Sequence, residues 1–164
     1  MKTVLLAAAS WRPLAILLAG AGAAVTIYLL LRLHGWTGMA WLIPSFGASC
    51  ALVFGVPDSP FAKPFSVIAG HLVASAMGLG TMAVLGHGPL AMAAGVGLGI
   101  AAMMATRTMH PPAGGDPLIV IATSATPSFL LMPVLLGTLL ISLAGLGFAR
   151  ARRATQPRQR SSPR

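Results

Sequence analysis

The side chains in this sequence able to do chemistry in a low-dielectric setting gather at two places. One is Pro44-Ser45-Phe46-Gly47-Ala48-Ser49; the other is TRTMHPPAGGDP, residues 106–117. Each joins hydroxyl or ionisable groups to proline and glycine within apolar surroundings. Proline removes a backbone donor and clashes inside a helix, so neither stretch can be continuous helix. Ser49 and Asp116 are both good helix-capping residues, and Pro117 suits a first helical position. Each stretch therefore reads as kinked backbone, then a cap, then a short apolar helix. A helix N-terminus carries roughly half a positive charge and unpaired N–H groups. Gly47, Gly114 and Gly115 let a ligand approach that backbone closely. The chemistry implied is the binding of a small anion or an electron-rich neutral molecule.

Three further residues join this candidate site. His110 precedes Pro111 and reads either as a substrate or gating group, or as a hydrogen bond holding the loop open. Arg107 reads as a partner for an anion or as an anchor at the membrane interface. His71 lies seven residues into an apolar segment, about 10 Å deep. An ionisable group at that depth is functional by default, with an interhelical hydrogen bond as the plainer alternative. Acidic or thiol partners at ligand spacing are missing around these histidines, so no metal site is expected. The chain holds two carboxylates, and no nucleophile–base–acid constellation is visible; enzyme chemistry and cofactors are not expected. Gly95 and Gly99 are four apart and read as a close helix-packing face.

The elements that must position these groups belong to a membrane protein. Hydrophobic residues are 56% of 164 and charged residues 8%, against roughly 25% charged in soluble proteins. A membrane helix needs about 20 apolar residues to cross a ~30 Å hydrocarbon core. Full spans are expected at 13–33, 64–85, 89–105 and 129–149. The stretch 36–55 makes a second crossing, broken at Pro44–Gly47. A composite fifth is expected from extended HPPAGG, ~3.3 Å per residue, and a short helix over 117–125. Between the second and third spans, VPDSPFAKP is a connector in which Asp58, Ser59 and Pro60 form a turn and cap. With six crossings and both termini cytoplasmic, ten basic residues lie inside and Arg32 alone outside, as the positive-inside rule requires.

Six of the 11 basic residues follow position 149. This tail has no aromatic residue to stack on a base, so the net charge of +9 points to lipid phosphate and not to nucleic acid. The expected organisation is a cytoplasmic segment 1–12, a transmembrane domain 13–149 and a disordered basic tail 150–164. The single cysteine, Cys50, excludes a disulfide framework.

A weak internal repeat links the two broken stretches. At an offset of 67 residues, PSFGASCALVFG lies over PPAGGDPLIVIA with three identities in twelve, and Ser49 falls over Asp116. Halves of about 13–86 and 88–149 then hold three crossings each, the middle one broken. Two like halves with an odd number of crossings must point in opposite directions. The fold expected is an all-α 3+3 inverted repeat, the plan of many transporters, with substrate near the midplane.

PSFGAS at 44–49, DSPFAKP at 58–64, GH at 70–71 and TRTMHPPAGG at 106–115 resemble, in order, the motifs of the HPP family of integral membrane proteins. The resemblance covers about residues 12–148 and includes Pro111 and Pro112. It implies membrane transport, with nitrite as the favoured substrate because relatives are associated with nitrite transport. A bacterial inner membrane and a homo-oligomer are the accompanying expectations. The sequence departs from the family pattern at Lys63-Pro64-Phe65-Ser66 and at Ala113 and Asp116, where an acidic cap partly cancels the field of an anion site. The alternative function is a membrane-embedded ligand sensor or assembly subunit that moves nothing.

Overall fold

A computed structural model describes residues 13–37 and 42–155. Six α-helices carry the chain: α1 (Pro13–Thr37), α2 (Ser45–Gly55), α3 (Pro64–Leu85), α4 (Pro89–Ala105), α5 (Asp116–Ala122) and α6 (Leu136–Thr155). No strand occurs among the described residues. Proline opens α3 and α4, its fixed φ suiting a first turn whose N–H groups lack helical partners anyway. Gly86, at φ 74°, turns the chain after α3.

By length and composition, Pro13–Trp36, Pro64–Leu85 and Pro127–Arg153 are able to cross a membrane. Ser45–Gly55 and Pro89–Ala105 are shorter apolar helices. At 11 residues, α2 reaches about half a bilayer. It begins at the expected break, with the Phe46 and Gly47 amides bonded back to the carbonyls of Ile43 and Pro44.

Packing divides the helices into two trios. α1, α2 and α6 pack together, α3, α4 and α5 pack together, and α3 also packs on α6. Leu30, Phe46, Phe54, Val67, Val134 and Ile141 form much of the buried apolar cluster between elements. Glycines permit the tightest crossings. A Cβ on Gly78 would lie 2.7 Å from Pro117 Cα, and one on Gly95 3.1 Å from Pro117 Cβ. Pro117 is thus wedged between α3 and α4, and the Gly95/Gly99 face is a packing face as its spacing indicates.

Four expectations need correction. Residues 111–115 form a 3₁₀ turn and not an extended strand, so they rise about 2 Å per residue. The helix that follows is seven residues, Asp116–Ala122, shorter than the expected 117–125. The last span is not one straight rod: a 3₁₀ turn over Pro127–Leu130 and a π-type turn over Leu131–Leu135 precede α6, with non-helical backbone at Met132. Pro133 is the cause, since a mid-helix proline cannot donate and clashes with the preceding turn. α6 also runs on through Arg150, Arg152 and Arg153 to Thr155, so the first part of the expected disordered tail is helical. Residues 1–12 and 156–164 lie outside the described residues.

Candidate functional site

α2 and α5 meet at their N-terminal turns. Ser45 Oγ donates to Asp116 Oδ1 at 2.6 Å, although 71 positions separate them in sequence. The Asp116 carboxylate also accepts from Ser75 Oγ at 3.2 Å and stands 2.6 Å from His71 Nδ1. His71 Nε2 lies 2.8 Å from Ser49 Oγ, and His110 Nε2 lies 2.9 Å from the same hydroxyl. His110 Nδ1 then donates to the Phe61 carbonyl at 2.8 Å. These contacts form one hydrogen-bonded cluster drawn from α2, α3, α5 and the two loops beside them.

Burial of the cluster is extreme. Ser49, His71, Ser75, His110 and Asp116 are all 0% exposed, and Ser45 is 8% exposed. Burying an ionisable group without partners costs several kcal/mol, so a set like this persists only when its members satisfy one another. Phe46 holds the imidazole of His71 from the side, edge-on at 5.5 Å between ring centroids. Gly70 makes room for His110: a Cβ there would lie 2.7 Å from both His110 Cβ and the Thr108 carbonyl oxygen. The Gly70-His71 pair thus has two jobs, close approach and hydrogen bonding.

The structure brings together Ser45, Ser49, His71, His110 and Asp116 from the residues singled out in sequence. It leaves the others aside. Gly47 is exposed on the outer face of α2, with nothing within 4 Å of a Cβ placed on it. Arg107 is exposed and holds a positive φ of 57° just past α4. Gly114 and Gly115 are half-buried on the 3₁₀ turn, with open space where a Cβ would stand. Of the motif residues, Pro44 precedes α2, Pro111 and Pro112 open the 3₁₀ turn, and Ser59 caps the turn at Pro60 by accepting from the Phe61 amide at 3.2 Å. Asp58 instead faces the end of α6, 2.9 Å from Arg152 and 3.7 Å from Arg153.

The capping expectation for Ser49 and Asp116 is wrong in both cases. α2 already begins at Ser45, so Ser49 is one turn inside the helix and its hydroxyl lies 3.1 Å from the Ser45 carbonyl. The 3₁₀ turn enters α5 with helical backbone at Gly115, and the Asp116 side chain makes no cap bond. It serves three side chains across the interface. Ser75 was missed in sequence, although it lies four residues after His71 and so on the same helical face.

Ser49, His71 and Asp116 also have the bonding order of a nucleophile, base and orienting acid, a constellation invisible in sequence because 22 and 45 residues separate its members. Here a second imidazole occupies the approach to the hydroxyl. Among the described residues, no group of three His, Cys, Asp or Glu side chains is placed to hold a metal ion.

A hollow of about 800 Å³ opens between the segment before α2 and the chain beyond α5, its wall including Ile43, Pro44, Ile119, Ser124, Phe129 and Pro133. The His110 end of the cluster reaches the 56–63 connector through Phe61.

The HPP transmembrane-region family matches residues 8–158. Two transmembrane proteins of Dictyostelium discoideum are similar to this chain. One is 35% identical over 125 residues, covering 70% of the chain and 44% of the relative. The other is 33% identical over 124 residues, covering 69% and 40%. The chain thus spans less than half the length of these relatives. No solved structure matches. The match, which spans all of the described residues, makes this an integral membrane protein of the HPP transmembrane-region family.

Proposed function

We propose that the chain is a small transporter or channel for a small inorganic anion, nitrite being favoured, with its substrate handled where α2 and α5 meet. The observation that carries the reading is the buried cluster of Ser45, Ser49, His71, Ser75, His110 and Asp116 at the junction of two broken segments. Polar groups are costly at membrane depth and mark ion or proton pathways. The hollow beside Pro44 offers an approach, and two imidazoles offer positive charge for an anion once protonated.

The reading includes a 3+3 inverted repeat with six crossings, and two features support it. The first is the trio packing. Exchange of α1 with α4, α2 with α5 and α3 with α6 turns one trio into the other. The offset of 67 carries Gly78 to Gly145 and Val53 to Val120. Gly78 packs on Val120, while Gly145 packs on Val53, as a two-fold axis between like halves demands. The second is Asp58–Arg152, which ties the connector before α3 to the end of α6. Those ends share a side of the membrane only if the 106–126 segment crosses. The exposed apolar side chains of α1, among them Leu14, Leu17, Val25 and Tyr28, face lipid or a second copy in a homo-oligomer. A bacterial inner membrane is the proposed location, with anionic lipid at the basic end of α6.

A second reading, a membrane-embedded sensor or assembly subunit, is favoured by one observation. Asp116 already fills the place between the two helix N-termini where an anion would bind, and the named wall of the hollow stops at Pro44, one residue short of the cluster. A hydrolase is disfavoured because Ser49 is fully buried and blocked by His110. The experiment is reconstitution of purified protein in liposomes with a trapped nitrite or halide reporter. Anion flux above that of empty vesicles, lowered by His110→Ala without loss of folded protein, supports transport. Ligand binding in detergent with no flux supports the sensor.

A further inference from the structure

The hydrogen-bonded cluster contains more acceptors than its neutral form has protons to fill. The Phe61 carbonyl can only accept, so His110 carries a proton on Nδ1. An ionised Asp116 can only accept, so His71 carries one on Nδ1. If both imidazoles are neutral, both Nε2 atoms are acceptors. They then compete for the single Ser49 hydroxyl proton at 2.8 and 2.9 Å, with the Ser45 carbonyl a third claimant at 3.1 Å. One short contact is left with no proton in it. Adding one proton fills both contacts between imidazole and hydroxyl.

That proton has two placements. In the first, His71 is charged: its Nε2–H donates to Ser49 Oγ, and the Ser49 hydroxyl donates to His110 Nε2. In the second, His110 is charged and both donations run in reverse. We propose that the cluster is a proton relay in which Ser49 passes a proton between His71 and His110. The bond from His71 Nε2 to its proton breaks as a new O–H bond forms at Ser49, and the original Ser49 proton moves to His110 Nε2. Electrons and protons balance within the three side chains. The net result is one positive charge moved between rings whose centroids are 5.0 Å apart.

Surroundings make both placements tenable. Asp116 holds the charge on His71, and the Phe61 carbonyl supports it on His110. The other polar side chains at the cluster, Ser45 and Ser75, are occupied in donating to Asp116. α4 carries no ionisable side chain, the charged groups of α6 are Arg150, Arg152 and Arg153 near its C-terminal end, and those of α1 are Arg32 and His34 near its own. Lys63 and Arg107, on the loops beside Phe61 and His110, are exposed. Two placements of one proton, with Asp116 the one charged side chain bonded to either ring among the described residues, make a bistable element.

The relay also has ends. Ser45 follows Pro44 at the edge of the 800 Å³ hollow, and Phe61 lies in the connector whose Asp58 meets the end of α6. On the proposed topology these ends face opposite leaflets, so the relay deepens that transport reading by naming the proton as the coupled ion.

The test uses the full chain in liposomes holding pyranine, with nitrite supplied outside and its entry followed by a separate reporter. Ser49→Ala removes the shuttling hydroxyl, while Ser49→Thr keeps it. Proton movement in the wild type, retained in Ser49→Thr and lowered about a hundredfold in Ser49→Ala, is expected for a positioned proton carrier. Movement of protons without nitrite sustains the relay and removes the nitrite reading. Nitrite entry with no proton movement overturns the relay and leaves nitrite transport standing. If Ser49→Ala fails to fold, infrared difference spectra of wild type decide: a pH step that changes no imidazole band overturns the relay, and changes at both histidines support it.

Discussion

The Ser45 hydroxyl meets the Asp116 carboxylate at 2.6 Å, and that contact ties the first turn of α2 to the first turn of α5. Two short helices from distant parts of the chain thus share one buried anion of the protein's own. The carboxylate satisfies Ser45, Ser75 and His71 together, which makes it the most connected side chain of the cluster.

Removing its charge is therefore expected to cost more than removing any single donor. Asp116→Asn should lower stability by about 3–5 kcal/mol, the cost of breaking a buried pair from one side. Ser45→Ala should cost about 1–3 kcal/mol, since it leaves the buried carboxylate one donor short. Thermal unfolding of both variants in one detergent checks the order; equal losses would mean that the carboxylate is not the hub.

Gly70 and Gly47 offer a contrast within two motifs. A methyl on Gly70 would meet the Thr108 carbonyl oxygen and His110 Cβ at 2.7 Å, so Gly70→Ala should destabilise by about 1–3 kcal/mol through overpacking. Gly47 faces open space on a helix, where alanine gains up to about 1 kcal/mol in helix propensity. Gly47→Ala should be neutral or stabilising in the same unfolding assay.

Much of this arrangement was legible in the sequence. The bounds expected at 64–85 and 89–105 coincide with those of α3 and α4 because proline marks each start, although α4 is among the shorter apolar helices. The breaks at Pro44 and Pro111 were legible for the same reason. The backbone within the second break was not: two prolines exclude α-helix, yet their fixed φ also suits a 3₁₀ turn, and composition alone does not choose between that and an extended strand. Pro133 is legible as a breaker, yet hydropathy runs straight across it, which is why 129–149 reads as one full span. The meeting of His71 with Asp116 across 45 residues was beyond reach, since helix packing and not local spacing decides it.

Asp58 and Arg152 report on the proposed topology. In a Cys50→Ala background, Asp58→Cys and Arg152→Cys should react with an impermeant thiol reagent from the same side of the membrane. Ser124→Cys, exposed beyond α5, should react from the other side. The ion pair itself contributes under about 1 kcal/mol at an exposed site, so its loss should leave the fold intact. A re-entrant 106–126 segment would place positions 58 and 152 on opposite sides.

Ser75 and Ser142 are separated by 67 residues, the offset of the proposed repeat, and the same substitution should act on them in opposite directions. Ser75 Oγ donates to Asp116, so Ser75→Ala leaves a buried carboxylate with one donor fewer and should cost about 1–3 kcal/mol. Ser142 Oγ is buried with no hydrogen-bond partner among the described residues. A hydroxyl in that state carries its desolvation cost with nothing to offset it. Ser142→Ala should leave stability unchanged or raise it by about 1 kcal/mol. Paired unfolding midpoints decide the matter: a loss at Ser142 as large as that at Ser75 would mean that its hydroxyl has found a partner, such as water or a bound headgroup in the nearby pocket between Lys63 and Arg153.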